Sequence, residues 1–128
     1  MLFRSKWDSL VGRYSNGYLP ATKWQHLLSV DWSQAEWGAG LSSHYLSGYT
    51  DQLPDANGNS IKVDAYSIWN GYVSYKPSKT SKLLFGVRNL FDTNPPFSNQ
   101  NQNWQAGYNP VFSDPLGRTF YVKLKFAF

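Results

Sequence analysis

Residues 23–33 read Lys23-Trp24-Gln25-His26-Leu27-Leu28-Ser29-Val30-Asp31-Trp32-Ser33. Taken alternately, they separate into two sets. One holds Trp24, His26, Leu28, Val30 and Trp32; the other holds Lys23, Gln25, Leu27, Ser29, Asp31 and Ser33. Successive side chains of a strand point to opposite sides, so this alternation predicts a β-strand with one apolar and one polar face. The apolar face begins and ends on tryptophan, with aliphatic residues between.

The same period continues outward from this stretch. A polar turn at Ser33-Gln34-Ala35-Glu36 leads into a strand with Trp37, Ala39, Leu41, Ser43, Tyr45, Ser47 and Tyr49 on one side. A long loop from Thr50 to about Lys62 contains Pro54 and Asn57-Gly58, both turn-formers. A third strand is expected from about Val63 to Tyr75, with Val63, Ala65, Ser67, Trp69, Gly71, Val73 and Tyr75 on one side. A tight turn at Pro77-Ser78-Lys79-Thr80 precedes a fourth, with Leu83, Phe85, Val87, Asn89 and Phe91 opposite Lys82, Leu84, Gly86, Arg88 and Leu90. The longest loop, Asp92 to Gly117, is rich in Asn, Gln, Pro and Ser. The last strand, Arg118 to Phe128, sets Phe120, Val122, Leu124, Phe126 and Phe128 against Tyr121, Lys123, Lys125 and Ala127. Connections alternate short and long, as in an antiparallel up-and-down meander with tight turns at one end and long loops at the other. The fold class expected is therefore all-β, with about five long strands.

The strand charges fall on one side. Lys23, Asp31, Glu36, Asp64, Lys76, Lys82, Arg88, Lys123 and Lys125 all occupy the second face, and the first carries no Asp, Glu, Lys or Arg. A one-sided apolar sheet has two homes: the core of a soluble sandwich, or a membrane barrel whose apolar face meets lipid. The rings separate them. Trp24 and Trp32, Trp37 and Tyr45, and Trp69 and Tyr75 sit toward opposite strand ends, the girdle expected where two interfaces flank a hydrocarbon band. The expected strands also approach or exceed about 10 residues, the length a tilted spanning strand needs. These features favour a large transmembrane β-barrel. The rival is a soluble, aromatic-rich β-sandwich that binds carbohydrate.

Composition agrees with a barrel wall. Of 128 residues, 18% are aromatic and only 16% are charged, with 6 Trp, 9 Tyr and 8 Phe. Ordinary soluble domains carry roughly 25% charged residues. A mean hydropathy of −0.49 and the absence of any long apolar run exclude a helical membrane protein. With no cysteine, disulfide scaffolds, thiolate metal sites and cysteine nucleophiles are excluded. The net charge is +4, but the basic residues are scattered rather than clustered, so nucleic acid is not an expected partner. The opening Met1-Leu2-Phe3-Arg4-Ser5-Lys6-Trp7-Asp8 has no apolar core of a signal peptide, and a chain working outside the cytoplasm would then be a piece of something larger.

Several motifs narrow the reading further. The fourth strand and its exit read Gly86-Val87-Arg88-Asn89-Leu90-Phe91-Asp92-Thr93-Asn94-Pro95-Pro96-Phe97. The end reads Gly107-Tyr108-Asn109-Pro110, then Ser113-Asp114-Pro115-Leu116-Gly117-Arg118, then a strand closing on Phe128. With Lys23-Trp24-Gln25-His26, Ser47-Gly48-Tyr49-Thr50-Asp51 and Lys62-Val63-Asp64-Ala65-Tyr66 upstream, this order resembles the C-terminal end of a TonB-dependent outer-membrane receptor. The resemblance spans about Trp24 to Phe128. Such receptors carry an N-terminal plug and a TonB-box peptide, absent from these residues, and barrels of roughly 22 strands. The resemblance implies that residues 1–22 are the remnant of a preceding strand or outer loop, and that 23–128 are the C-terminal strands and loops of the receptor barrel. It implies uptake of a scarce bulky nutrient of the siderophore, vitamin or oligosaccharide class. Its implied partners are outer-membrane lipid, the barrel-assembly machinery, TonB through the missing N-terminal part, and the transported ligand. It places the protein in the bacterial outer membrane, loops 50–62 and 92–117 outside and the turns near 33–36 and 77–80 in the periplasm. Phe120, Val122, Leu124, Phe126 and Phe128 would then serve both as a lipid-facing strand and as the assembly signal.

No catalytic constellation emerges, and no enzyme activity or cofactor is expected. His26 reads as an interfacial histidine and His44 as a hydrogen-bonding group of the polar side. Serines are many, but no nucleophile elbow supports a triad. Asp55-Ala56-Asn57-Gly58-Asn59 resembles the start of a calcium loop, but Ser60 and Tyr66 stand where that pattern needs Gly and Glu. It reads as an Asn-Gly turn, with no metal. In the longest loop, Gln100, Asn103, Trp104, Tyr108 and Asn109 combine amides with rings, a set suited to holding a sugar or siderophore. The plainer reading is that outer loops are simply polar.

Overall fold

The structure, a computed structural model, describes residues 11–14, 21–101 and 103–128. Seven strands form. They are β1 (Gln25–Gln34), β2 (Trp37–Leu46), β3 (Tyr49–Thr50), β4 (Lys62–Val63), β5 (Tyr66–Ser78), β6 (Ser81–Arg88) and β7 (Thr119–Phe126). Five of them make one sheet in the order β1-β2-β5-β6-β7, and β3 and β4 pair separately. Every pairing is antiparallel and joins chain neighbours within its sheet, the expected meander. No helix occurs among the described residues, so none there is long and apolar enough to cross a membrane.

The register carries one face across the whole sheet. Val30 is opposite Leu41, which is opposite Gly71, and Gly71 is opposite Val87, which is opposite Phe120. A one-residue slip at any interface would turn a whole strand over. The one shift, between Tyr75 and Ser78 of β5 against β6, falls next to the tight turn and beyond this row, so the apolar residues of all five strands share one side.

That side is open. Val30, Leu41, Val73, Phe85, Val122 and Leu124 are all exposed, Leu124 by 65%. The buried apolar residues are Tyr14, Leu46, Tyr49, Val63 and Tyr66, gathered where the long loops begin. A soluble sandwich would show the reverse, an apolar face buried beneath a second sheet.

Several element ends differ from the sequence reading, the larger differences each for a local reason. The second strand does not run on to Tyr49: it ends at Leu46, and Tyr49 pairs in β3 instead. The third strand does not start at Val63. Lys62–Val63 pairs back on Tyr49–Thr50, which leaves Val63 only 2% exposed, clustered with Tyr14 and Tyr49. Pro77 lies inside β5, where a register shift between Tyr75 and Ser78 marks a bulge, a position that tolerates a residue with no N–H. The turn is thereby shortened to Lys79-Thr80. The fourth strand stops at Arg88 because Asn89 adopts φ 52, which breaks the ladder. Residues 11–14 form no wall strand. They bridge to Ala21 and Thr50 at the loop end, and the rest of the stretch before Pro20 lies outside the described residues.

Candidate functional site

The candidate site has three parts: an apolar face, a polar face and the loop end that caps the sheet.

On the apolar face, rings occupy both margins. At the tight-turn margin Trp37 and Tyr75 pack with centroids 4.6 Å apart, beside Trp32. At the long-loop margin His26 stacks on Tyr45 at 5.0 Å, and Trp24 donates its indole N–H to His26 Nδ1 at 3.0 Å. Trp69 meets Phe91 edge-on at 6.2 Å. The His26 bond satisfies the indole donor, which an apolar surrounding would otherwise penalise. Phe85 stacks on Phe120 at 6.1 Å, while Phe128 stands beyond the end of β7, fully exposed.

On the polar face, one row crosses all five strands: Asp31, Gly40, Tyr72, Gly86 and Tyr121. The Tyr72 hydroxyl donates to Asp31 Oδ1 at 2.6 Å, so its ring lies flat across Gly40, where any Cβ would collide with it. The Tyr121 ring covers Gly86 in the same way. Glycine is needed at both positions for space rather than for turning. The Arg88 guanidinium and the Lys123 ammonium lie 5.9 and 5.4 Å from the Tyr121 centroid, within reach of its π-face. Lys82 and Lys125 are opposite each other on the same side.

The loop end is held by polar side chains used internally. Asp51 accepts from the Ser98 hydroxyl at 2.8 Å and from the backbone N–H of Asn99. Gln100 donates to the carbonyls of Gln105 and Tyr108 and accepts from Asn103 N–H. Asn109 donates to the Tyr14 hydroxyl at 3.3 Å and accepts from Val111 N–H. Burial pushes the Tyr14 and Tyr49 phenols above their ordinary range, Asp51 adding to the effect. Asp55 has the opposite shift. Hydrogen bonds, first from Asn59, hold its carboxyl below the usual range, so the Asn57-Gly58 stretch is a turn built on that carboxylate. No group of three or more His, Cys, Asp or Glu that could hold a metal ion occurs among the described residues.

The base of the longest loop is locked by the motif that ends β6. The Asn89 side chain bonds both the N–H and the C=O of Thr93, at 2.8 and 2.9 Å. Asp92, at φ 55, accepts from Arg118 N–H at 2.8 Å, and Arg118 Nε returns to the Leu90 carbonyl at 3.0 Å. Asn and Asp are the side chains that best tolerate this left-handed backbone. Asp92→Ala is expected to lower stability by about 1–3 kcal/mol, through the lost charge-assisted bond and a Cβ without local compensation. Asp92→Asn should stay near wild type. Urea midpoints of the barrel refolded in lipid vesicles measure this, and an alanine variant matching wild type would refute the lock.

The sequence-expected residues thus separate. Trp24, Tyr45 and Trp69 lie toward the loops, and Trp32, Trp37 and Tyr75 toward the tight turns. Phe120, Val122, Leu124 and Phe126 share that face. Gln100 and Asn109 are buried and bonded within the loop, Asn103 and Tyr108 are half-buried, and Trp104 is 88% exposed. Sequence reasoning missed Tyr14, Asp51 and Ser98 as a buried cluster, and Asp31–Tyr72 as a pair. The glycines under the two tyrosine rings were the available signal.

A meander with one unbroken apolar face, one polar face and no buried core between layers is a segment of β-barrel wall. The family model described as "TonB dependent receptor-like, beta-barrel" matches residues 4–90, and the chain belongs to that family, one of receptor barrels rather than of enzymes. No curated protein matches the chain significantly, and no solved structure does. The Gly-Tyr and Asp-Pro motifs and β7 lie beyond the matched residues, but β7 pairs with β6 along its whole length and continues the same wall.

Proposed function

We propose that the chain is the C-terminal part of a TonB-dependent receptor in a Gram-negative outer membrane. The receptor takes up a scarce bulky nutrient of the siderophore, vitamin or oligosaccharide class, energised by TonB through a plug-bearing N-terminal part. Residues 23–128 supply wall strands, outer loops and the closing strand, and residues 1–22 belong to a preceding strand or outer loop. The observation that carries this reading is the exposed apolar face continuous over five strands, free of charge and bordered by rings. Its height fits: the ten residues of β2, tilted about 40°, project to about 26 Å, close to the apolar band of such barrels. Lipid covers that face, the rings sit at the interfaces, and the exposed loop residues, Trp104 foremost, look outward to the ligand. Phe128, terminal on an alternating aromatic strand, serves recognition by the barrel-assembly machinery.

These 128 residues hold no cysteine, so a cysteine introduced among them is the one thiol of this segment, and the receptor without it is the labelling control. In cells making the receptor that carries this chain, Asn57→Cys is expected to react with a membrane-impermeant maleimide. Lys79→Cys should react only after the outer membrane is permeabilised. Deleting Phe128 should reduce Asn57→Cys labelling through lower surface level. Labelling of Lys79→Cys in intact cells would reverse the orientation, and full labelling without Phe128 would remove its assembly role.

A further inference from the structure

A cavity of about 230 Å³ lies on the polar face under the segment that leads into β7. Its wall is made by His44, Asn70 and Arg88, and Phe112 and Leu116 reach over it from the loop. Its two sides differ in chemistry. The wall presents donors: the Arg88 guanidinium, the Asn70 amide and the His44 imidazole. The roof is apolar.

Arg88 is the group to explain. Among the described residues it makes no ion pair, and its guanidinium lies beside the Tyr121 ring. Arg118, by contrast, is engaged by the Leu90 carbonyl. The Asn70 side-chain oxygen accepts from Asn89 N–H at 3.1 Å, and among the described residues its N–H₂ has no hydrogen-bond partner. The one acid in the lining, Asp114, accepts from Leu116 N–H through Oδ1 at 2.9 Å. A planar, always charged donor fork that shares one cavity with an amide and with the apolar side chains of Phe112 and Leu116 matches one kind of group. We infer that this cavity binds a carboxylate carried on an apolar or aromatic body, and that Arg88 is its anchor. The volume admits one such moiety of a larger molecule, so the inference names a recognition element of the transported nutrient. It rests on the receptor reading only for placing this face toward the barrel lumen.

The test reads Arg88 directly in the receptor that carries this chain, folded in dodecyl maltoside micelles. Phenylglyoxal modifies free guanidinium groups, and peptide mass spectrometry gives the rate at each arginine. The probes are 4-fluorobenzoate and its neutral counterpart 4-fluorobenzamide. Benzoate is expected to slow modification of Arg88 several-fold and to leave Arg13 unchanged, while benzamide protects neither. Leu116→Ala should weaken the protection, as removal of the roof requires. Equal protection by benzamide, or none by benzoate, would overturn the inference. The readout needs no transport. A chain that protects Arg88 but lacks the labelling pattern above would sink the receptor reading alone, and the converse result would sink this inference alone.

Discussion

Leu124→Arg is expected to cost the folded receptor barrel about 2–4 kcal/mol, whereas the adjacent Lys123→Gln is expected to be nearly silent. The two residues are neighbours in β7 and point to opposite faces. Leu124 is opposite Leu83 on the apolar side, between Phe120 and Phe126 of its own strand. Lys123 is opposite Leu84 on the polar side, with its ammonium over Tyr121. An arginine on a face covered by lipid must be desolvated or must pull water and headgroups toward it, and the cost rises toward mid-bilayer. On the lumenal side glutamine gives up only a charge already exposed and one cation–π contact, worth about 0.5–1 kcal/mol at such sites. Refolding into vesicles, with heat-modifiable gel mobility as the measure of the folded barrel, compares them. Equal tolerance of both substitutions would reject the assignment of the faces.

The faces were legible because they depend on a rule two residues long. Phe120 to Phe126 and, but for Leu27 on the polar side, Trp24 to Trp32 keep the alternation, and antiparallel pairing in register transmits it across the sheet. The strand ends were not legible in the same way. Val63 continues the alternation of β5 by residue type, yet it pairs with Tyr49, because the buried cluster with Tyr14 takes an apolar residue there. Asn89 also continues an alternation, and its left-handed backbone ends the strand regardless.

The loop end depends on partners far apart in the chain. Ser98 reaches Asp51 across 47 residues, and Asn109 reaches Tyr14 across 95. Period and propensity carry no information at such separations. Composition alone therefore could not separate amides that hold the loop together from amides free to meet a ligand. Gln100 and Asn109 belong to the first kind. Trp104, by its exposure, remains available to the second. The Asn89-to-Asp92 and Gly117-Arg118 motifs were legible only as a resemblance, and the lock between Asp92 and Arg118 supplies the physical reason for their company.

Residues 1–128 on their own are expected to aggregate, self-pair or require detergent, and to transport nothing. Among the described residues the five-stranded sheet has two edge strands, β1 and β7, each paired on one side only. All ten residues of β1 are exposed, and so are most of those of β7. An unpaired edge is a template for another chain. Here that edge borders an apolar face running through Leu28, Val30, Phe85, Val122 and Leu124, so edge pairing and face burial drive association together. Water cannot cover the face without a hydrophobic cost of about 25 cal/mol per Å² of apolar surface. Lipid covers the face but leaves the edge N–H and C=O groups unpaired in hydrocarbon, at several kcal/mol for each group. Only the remaining strands of a closed barrel relieve both. The loop cluster around Tyr14, Tyr49 and Val63 is too small to hold the wall as a soluble unit. Size-exclusion chromatography without detergent should therefore give void-volume or heterogeneous species, and near-UV circular dichroism should show weak aromatic signal. A sharp monomer peak with strong near-UV ellipticity from the 6 tryptophans and 9 tyrosines would mean that the apolar face is covered in water by this chain itself. That result would overturn the barrel-wall reading in favour of the soluble sandwich.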